Sequence, residues 1–387
     1  MESRPYLDFY AQQGAALVSR EIGDRRAFFR ARASLFVSLG IAPGLLDGKS
    51  VLEFGPGTGH NALFTDSLRP RRFVLVDGDE QILQASRERL KNEGVRGVER
   101  EFVCAFFDDY STDERFDIVI AEACIPNQVK PSETLNKMLQ FLKPGGVMIF
   151  TTVSAASWLS EITRRLVKLR CTNAKGIVDL NLLISKLEPH FKTLKGMARQ
   201  PREWILDNLV QPLDGGRLFS IPNALEGLAS EYLVSGLSPM FLRDWRWYKE
   251  NPEDGTVIHN EIIDQYYANV INFLDRRSIH KSHSRELGER LEAISAMIWD
   301  DMRGIDDIED QRLGFVIENL HEIASLVSTA APATSSSIEE AIKWFQTGLH
   351  EDELFHFPDW WGRGQQHVGL VKPFASSRDR HLLIPEE

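Results

Sequence analysis

Cysteine is scarce in this 387-residue chain, and long hydrophobic runs are missing altogether. Cys104, Cys124 and Cys171 stand far apart, in no paired spacing. That excludes a disulfide framework and a CxxC metal pair, and no other metal-ligand pattern takes its place. The two cysteines in apolar runs read as ordinary buried thiols. No apolar stretch approaches the ~20 residues that a membrane-spanning helix needs. The first residues, Met1 to Tyr6, lack the basic-then-apolar order of a secretory signal. Positive charge is also in deficit: 45 Lys+Arg against 56 Asp+Glu leave a net charge of −11. A balance of that sign speaks against broad contact with phosphate backbones, so nucleic acid is not the expected partner. The expectation is a reduced, cytoplasmic protein without a membrane span, its oligomeric state left open.

What is present is a core-forming composition, 43% hydrophobic. Residues 6–40 read as helical, and the arginines at 20, 25, 26, 30 and 32 read as a solvated helix face. From 51 to 153, short apolar runs alternate with helical stretches. Strands are expected at Val51–Phe54, Arg72–Val76, Phe102–Ala105, Phe116–Ala121 and Val147–Val153, and Ser132 reads as a helix N-cap. Such alternation implies right-handed crossovers and a parallel sheet. Beyond 154 the apolar spacing is mostly helical, with Ser328–Ser337 reading as a flexible linker by composition. The stretch His367–Pro373 reads as a strand, and a lone strand needs a sheet to join. Its expected place is in the N-terminal sheet, beside a strand near Ser230–Ser238.

The strongest chemical signal is Val51-Leu52-Glu53-Phe54-Gly55-Pro56-Gly57-Thr58-Gly59-His60-Asn61. Glycines at 55, 57 and 59 allow a sharp turn and a close approach of backbone to ligand. The turn leads from a strand into a helix N-terminus, where open α/β sheets bind ligands. A dinucleotide pyrophosphate favours GxGxxG, but here the spacing is GxGxG and His60 holds the third Rossmann position. Glu53 adds a carboxylate that repels pyrophosphate and suits a cationic amino-acid moiety. The second signal is Val74-Leu75-Val76-Asp77-Gly78-Asp79, in which Asp77 ends a strand and can accept hydrogen bonds from both hydroxyls of a ribose.

With VLEFGPGTGHN (51–61), VLVDGD (74–79), FDIVIAEA (116–123) and LKPGGVMIF (142–150) in this order, the sequence resembles a class I S-adenosylmethionine-dependent methyltransferase. The resemblance covers about 45–153 and is similar in layout to bacterial small-molecule or saccharide enzymes. It implies an α/β fold: a Rossmann-like, mostly parallel seven-stranded sheet with helices on both faces, plus large helical insertions between the late strands. The implied organisation is an N-terminal helical cap (1–44), the cofactor-binding core (45–153) and mainly helical insertions (154–365) with one core strand near 230–238. A terminal core strand (366–374) and a tail (375–387) follow. S-adenosylmethionine is the implied cofactor. Gly55, Gly57 and Gly59 would line its methionine moiety beside Glu53, Asp77 would hold the ribose, and Phe106, Phe107 and Asp108 would lie near adenine. Phe54, Asn61, Gly78 and Glu122 complete the implied cofactor set, and Glu122 would also face the methyl-transfer site.

Two residues are candidates for removing the acceptor's proton: His60 at the helix start, and Glu122 at the end of the fourth strand. Trp245, Trp247, Tyr248 and Trp361 lie in aromatic clusters with adjacent charges, which suit the walls of a substrate pocket. The expected reaction is methylation of a small-molecule or saccharide acceptor, at oxygen. A protein or RNA target, or a noncatalytic partner protein that binds the same cofactor, remains as the alternative.

Overall fold

The computed structural model describes residues 22–194, 197, 199–212, 218–250, 255–350 and 354–373. Residues 6–21 of the expected first helix and the expected tail from 375 onwards lie outside them. The chain divides into two compact units. One contains Gly23–Thr152, Phe219–Ile263 and Gln366 onwards; the other contains Val153–Leu218 and Asp264–Gln365.

The first unit is built on a seven-stranded sheet. Its strands are β1 (Ser50–Phe54), β2 (Arg72–Asp77), β3 (Glu99–Cys104), β4 (Phe116–Ala121), β5 (Leu142–Thr152), β6 (Leu233–Ser238) and β7 (Gln366–Val371). They lie in the order β3-β2-β1-β4-β5-β7-β6. The first five run parallel, while β7 is antiparallel to both β5 and β6. Every residue of β1 is buried, as expected of a central parallel strand covered on both faces. Alternate residues Val51, Phe73, Leu75, Ile118, Ile120 and Ile149 form one core face. Phe36, Ala62, Leu63, Phe64, Leu83 and Leu90 cover it, drawn from helices Arg25–Ser38, His60–Ser67 and Glu80–Glu93. On β6 and β7, Gly236 and Gly369 keep the sheet close to the end of the first helix. A Cβ at Gly236 would stand 2.4 Å from the Ser38 carbonyl, and one at Gly369 2.6 Å from that of Leu39.

Three local expectations are corrected. Pro131, not Ser132, opens the helix Pro131–Leu139, because proline's fixed φ suits the first helical turn and Lys130 takes the cap position. The arginines of the first helix are not all solvated, since Arg32 is buried. The third correction lies in the second unit, which is helical. There the supposed linker 328–337 is mostly ordered as the start of the helix Pro332–Gln346. Its two buried hydroxyls are satisfied inside the fold: Thr334 donates to Asp275 at 2.7 Å and Ser337 to the Ala333 carbonyl at 2.8 Å. Ile338, Ala341, Ile342, Trp344 and Phe345 then supply a buried face that composition alone does not reveal.

The second unit is tied together by Arg164, fully buried on the helix Leu159–Arg170. Its guanidinium donates to His190 Nδ1 and to the carbonyls of Ser160, Phe357, Pro358 and Trp360, and it lies 3.5 Å from the Trp361 ring centre. No carboxylate is hydrogen-bonded to it, and burial pushes its pKa down to about 9. Among the described residues, no helix is long and apolar enough to cross a membrane.

Candidate functional site

The row of strand ends at Asp77, Phe54, Ala121, Thr151 and His367 forms the carboxyl edge of the sheet. The glycine turn leaves this edge after β1. All three of its glycines have positive φ, at +66°, +56° and +81°. They serve different ends. A Cβ at Gly55 would press on Cys124 at 3.1 Å, and one at Gly59 on Ser86 Oγ at 2.8 Å. A Cβ at Gly57 would meet nothing within 4 Å. Gly55 and Gly59 therefore permit close packing behind the turn, while Gly57 presents bare backbone to open space.

Glu53, the fourth residue of β1, is buried, and its Oε2 has no hydrogen-bond partner among the described residues. Burial, with the neighbouring Glu122 charge, pushes its pKa up to about 8 against the opposing pull of Arg32. Asp77 ends β2 and accepts the Asp79 N–H at 3.1 Å. Burial raises its pKa to about 6, although the amides of Asp79, Gly57 and Gly78 hold it back. The exposed Phe106 ring lies over Gly78, where a Cβ would come within 2.8 Å of it. Phe107 packs edge-on against Phe54 at 5.6 Å. Phe54 itself is fully buried among Phe107, Tyr110 and Phe141, so only its backbone faces the turn. Asp108 accepts from the Thr134 hydroxyl at 3.2 Å, which ties it to the helix Pro131–Leu139.

Glu122 is the centre of a buried charge cluster. Arg32 grips both carboxylate oxygens at 2.8 Å, Asn61 Nδ2 donates to Oε2 at 3.0 Å, and His367 Nε2 lies 3.4 Å from Oε1. Burial alone would raise its pKa, but the Arg32 and His367 contacts win and hold it well below the ordinary carboxylate range. The expectation that Glu122 removes a proton from the acceptor is corrected on this ground. A bidentate, saturated carboxylate would have to leave its arginine to bind that proton. The chain turns sharply after it: Ala123 takes a φ of +58°, and its N–H donates to Thr151 Oγ1 at 2.7 Å.

His60 is the first residue of its helix, buried, with Nδ1 2.9 Å from the Thr58 hydroxyl. The Thr58 carbonyl accepts from Arg89 at 2.8 Å, so the histidine belongs to a hydrogen-bonded joint between the turn and the next helix. The aromatic clusters fall in different units. Trp245, Trp247 and Tyr248 are exposed. Trp361 is buried in the helical unit, its face covered by Arg164 and its N–H donated to Thr193 at 3.0 Å. An indole satisfied on face and edge is a packing element, which corrects its expected substrate role. Sequence reasoning missed Arg32 and His367. Arg32 reads as one of several surface arginines, and His367 as an ordinary strand residue. Among the described residues, no three His, Cys, Asp or Glu side chains gather to hold a metal ion.

Comparison with known proteins matches residues 45–200 to a family described as a methyltransferase domain. That stretch resembles a methyltransferase domain. Members of the matched family take the methyl group from S-adenosylmethionine. The domain is 30% identical over 111 residues to a malonyl-[acyl-carrier protein] O-methyltransferase of Acetivibrio thermocellus, spanning 28% of this chain and 38% of that one. It is 35% identical over 109 residues to the ubiquinone/menaquinone biosynthesis C-methyltransferase UbiE of Pseudomonas entomophila, spanning 27% and 42%. The chain thus spans well under two thirds of the length of these relatives. Among solved structures, the N-methyltransferase NodS of Bradyrhizobium japonicum, with S-adenosyl-L-homocysteine, is 18% identical over 40% of this chain and 76% of that one, at a TM-score of 0.31. The methyltransferase domain accounts for the glycine turn and Asp77; the second, helical unit lies mostly beyond the matched residues.

Proposed function

We propose that this protein is an S-adenosylmethionine-dependent methyltransferase acting on a small-molecule acceptor. One observation carries the reading: a buried carboxylate oxygen of Glu53 without a partner, beside a glycine turn with open space over Gly57. A buried acceptor left unpaired costs on the order of 1–3 kcal/mol, so it suits a donor brought by a ligand. The cofactor's ammonium group is such a donor. Asp77 would accept from the ribose hydroxyls, and the exposed Phe106 ring offers a flat surface to the base. When bound, the cofactor supplies an electrophilic methyl group on a sulfonium, which departs as a neutral thioether.

The chain's remaining work is to position the acceptor and take its proton. His367 suits the second task better than Glu122. Its side chain is partly open at the carboxyl edge, and Glu122 orients it through Nε2. Oxygen remains the proposed acceptor atom. The saccharide reading rested on aromatic walls; it loses that support, since Trp361 is packed and the other three rings point to solvent.

Titration calorimetry with S-adenosylmethionine tests the cofactor site, and a cell extract supplied with donor carrying a tritiated methyl group tests the reaction. Label in the small-molecule fraction supports the proposal. Label confined to protein or RNA transfers it to a macromolecular target. Cofactor binding with no label transferred favours a noncatalytic binding protein.

A further inference from the structure

The segment after β6 places five large apolar side chains in nine residues at the surface. Met240 is 75% exposed, Leu242 36%, Trp245 94%, Trp247 57% and Tyr248 68%. Elsewhere in this unit, exposed large hydrophobics such as Val37, Leu45 and Val129 come singly among the described residues. Residues 240–247 are neither strand nor helix, and a single 3-10 turn, Tyr248–Glu250, follows. Leaving so much aromatic surface in water costs free energy, and a contiguous patch of it signals a partner.

The polar groups indicate which kind. The segment's carboxylates are already engaged. Both oxygens of Asp244 accept from Arg246, which also pairs with Glu261 at 3.0 Å, and Glu250 accepts the Trp247 N–H at 3.2 Å. An exposed cation accompanies the rings. Lys249 is exposed, with its ammonium 4.7 Å from the Trp247 ring centre and 5.7 Å from that of Tyr248, and the Arg243 side chain is exposed as well. Trp and Tyr rings interleaved with Lys and Arg are the composition of protein segments seated at a membrane–water interface. A protein partner would need on the order of 800 Å² of matched surface per side, more than one extended segment offers. The segment also leaves β6 at Ser238, whose register with His367 sets it on the carboxyl edge, the edge that bears the glycine turn.

We propose that residues 239–250 dock this protein on an anionic lipid bilayer. Trp245, Trp247 and Tyr248 sit at headgroup level, and Lys249 faces the lipid phosphates. This inference stands independently of methyl transfer, because the docking surface uses none of the cofactor residues.

Flotation of the full chain with vesicles of phosphatidylglycerol and phosphatidylcholine in equal parts, and of phosphatidylcholine alone, tests it. Binding to the anionic vesicles is expected, weakening as salt is raised. The Trp245→Ala/Trp247→Ala variant should bind at least about tenfold less, with unchanged circular dichroism and cofactor affinity. Three results would overturn the proposal. The wild type remains in the aqueous phase with both vesicles; the variant floats as well as wild type; or the variant melts several degrees lower, which marks the rings as internal packing. A concentration-dependent dimer that ignores vesicles and is lost in the variant would assign the patch to a second copy of this chain.

Discussion

In the proposed site, Glu53 would make cofactor binding a proton-linked event. With its pKa raised to about 8 in the ligand-free protein, about nine-tenths of Glu53 carries a proton at pH 7. An ammonium group bonded to Glu53 favours the ionised carboxylate, so binding at pH 7 should expel most of that proton, while at pH 9, where the free cofactor's own amine (ordinary pKa about 8) is mostly neutral, binding should instead take a proton up. Affinity should therefore rise by up to about tenfold per pH unit between 6 and 7, and fall again above about pH 8 as the free cofactor loses its ammonium charge. The assay is calorimetric titration of S-adenosylmethionine in phosphate and in Tris at the same pH. The two buffers differ in ionisation enthalpy, so the difference in observed heat counts the protons released. Glu53→Gln should bind more weakly and with buffer-independent heat. The same carboxyl affects stability with the opposite sign. Its pKa lies above the ordinary 4.5, so the folded state holds a proton that the unfolded chain has already released. The cost is absent below about pH 4.5, grows as pH rises to about 8, and is on the order of 3 kcal/mol at pH 7. Glu53→Gln should accordingly melt higher than wild type at pH 8 while binding cofactor less well. Tight cofactor binding at pH 7 with identical heats in both buffers would refute this account of Glu53.

Asp77→Asn should weaken cofactor binding by about 1–3 kcal/mol in the same calorimeter, through loss of charge-assisted hydrogen bonds, while leaving the fold intact. Arg32→Met leaves the Glu122 charge buried without its partner and should lower stability by about 3–5 kcal/mol in denaturant unfolding. The double variant Arg32→Met/Glu122→Gln should recover much of that loss. Gly57→Val should abolish cofactor binding by filling the open space over the turn, at a modest cost in melting temperature for a branched side chain at positive φ. Gly236→Val should instead unfold the sheet-bearing unit at lower temperature, because its Cβ would collide with the backbone of Ser38 and Leu39.

The strand, glycine turn and helix start of the proposed cofactor site were legible in the amino-acid sequence because their information is local. A strand, three glycines and a helix start lie within about a dozen residues, and φ preference with side-chain size ties each glycine to that geometry. Asp77 at a strand end is equally local, and the need of a lone C-terminal strand for partners already pointed to the sheet. Where the expectation went wrong, the deciding contact came from far along the chain. Glu122 read as a proton acceptor until Arg32, 90 residues earlier, and His367, on the last strand, closed around it. Trp361 read as a substrate wall until Arg164 and Thr193 covered it. The run of serines and alanines at 328–337 read as a linker because hydroxyls favour loops in isolation, and it became helix because Asp275 and nearby carbonyls satisfy them. Backbone conformation and periodic burial are properties of short stretches, so the chain dictates them residue by residue. Charge state and exposure depend on what packs against a group in three dimensions, so the tertiary structure alone decided which carboxylate is left wanting a partner.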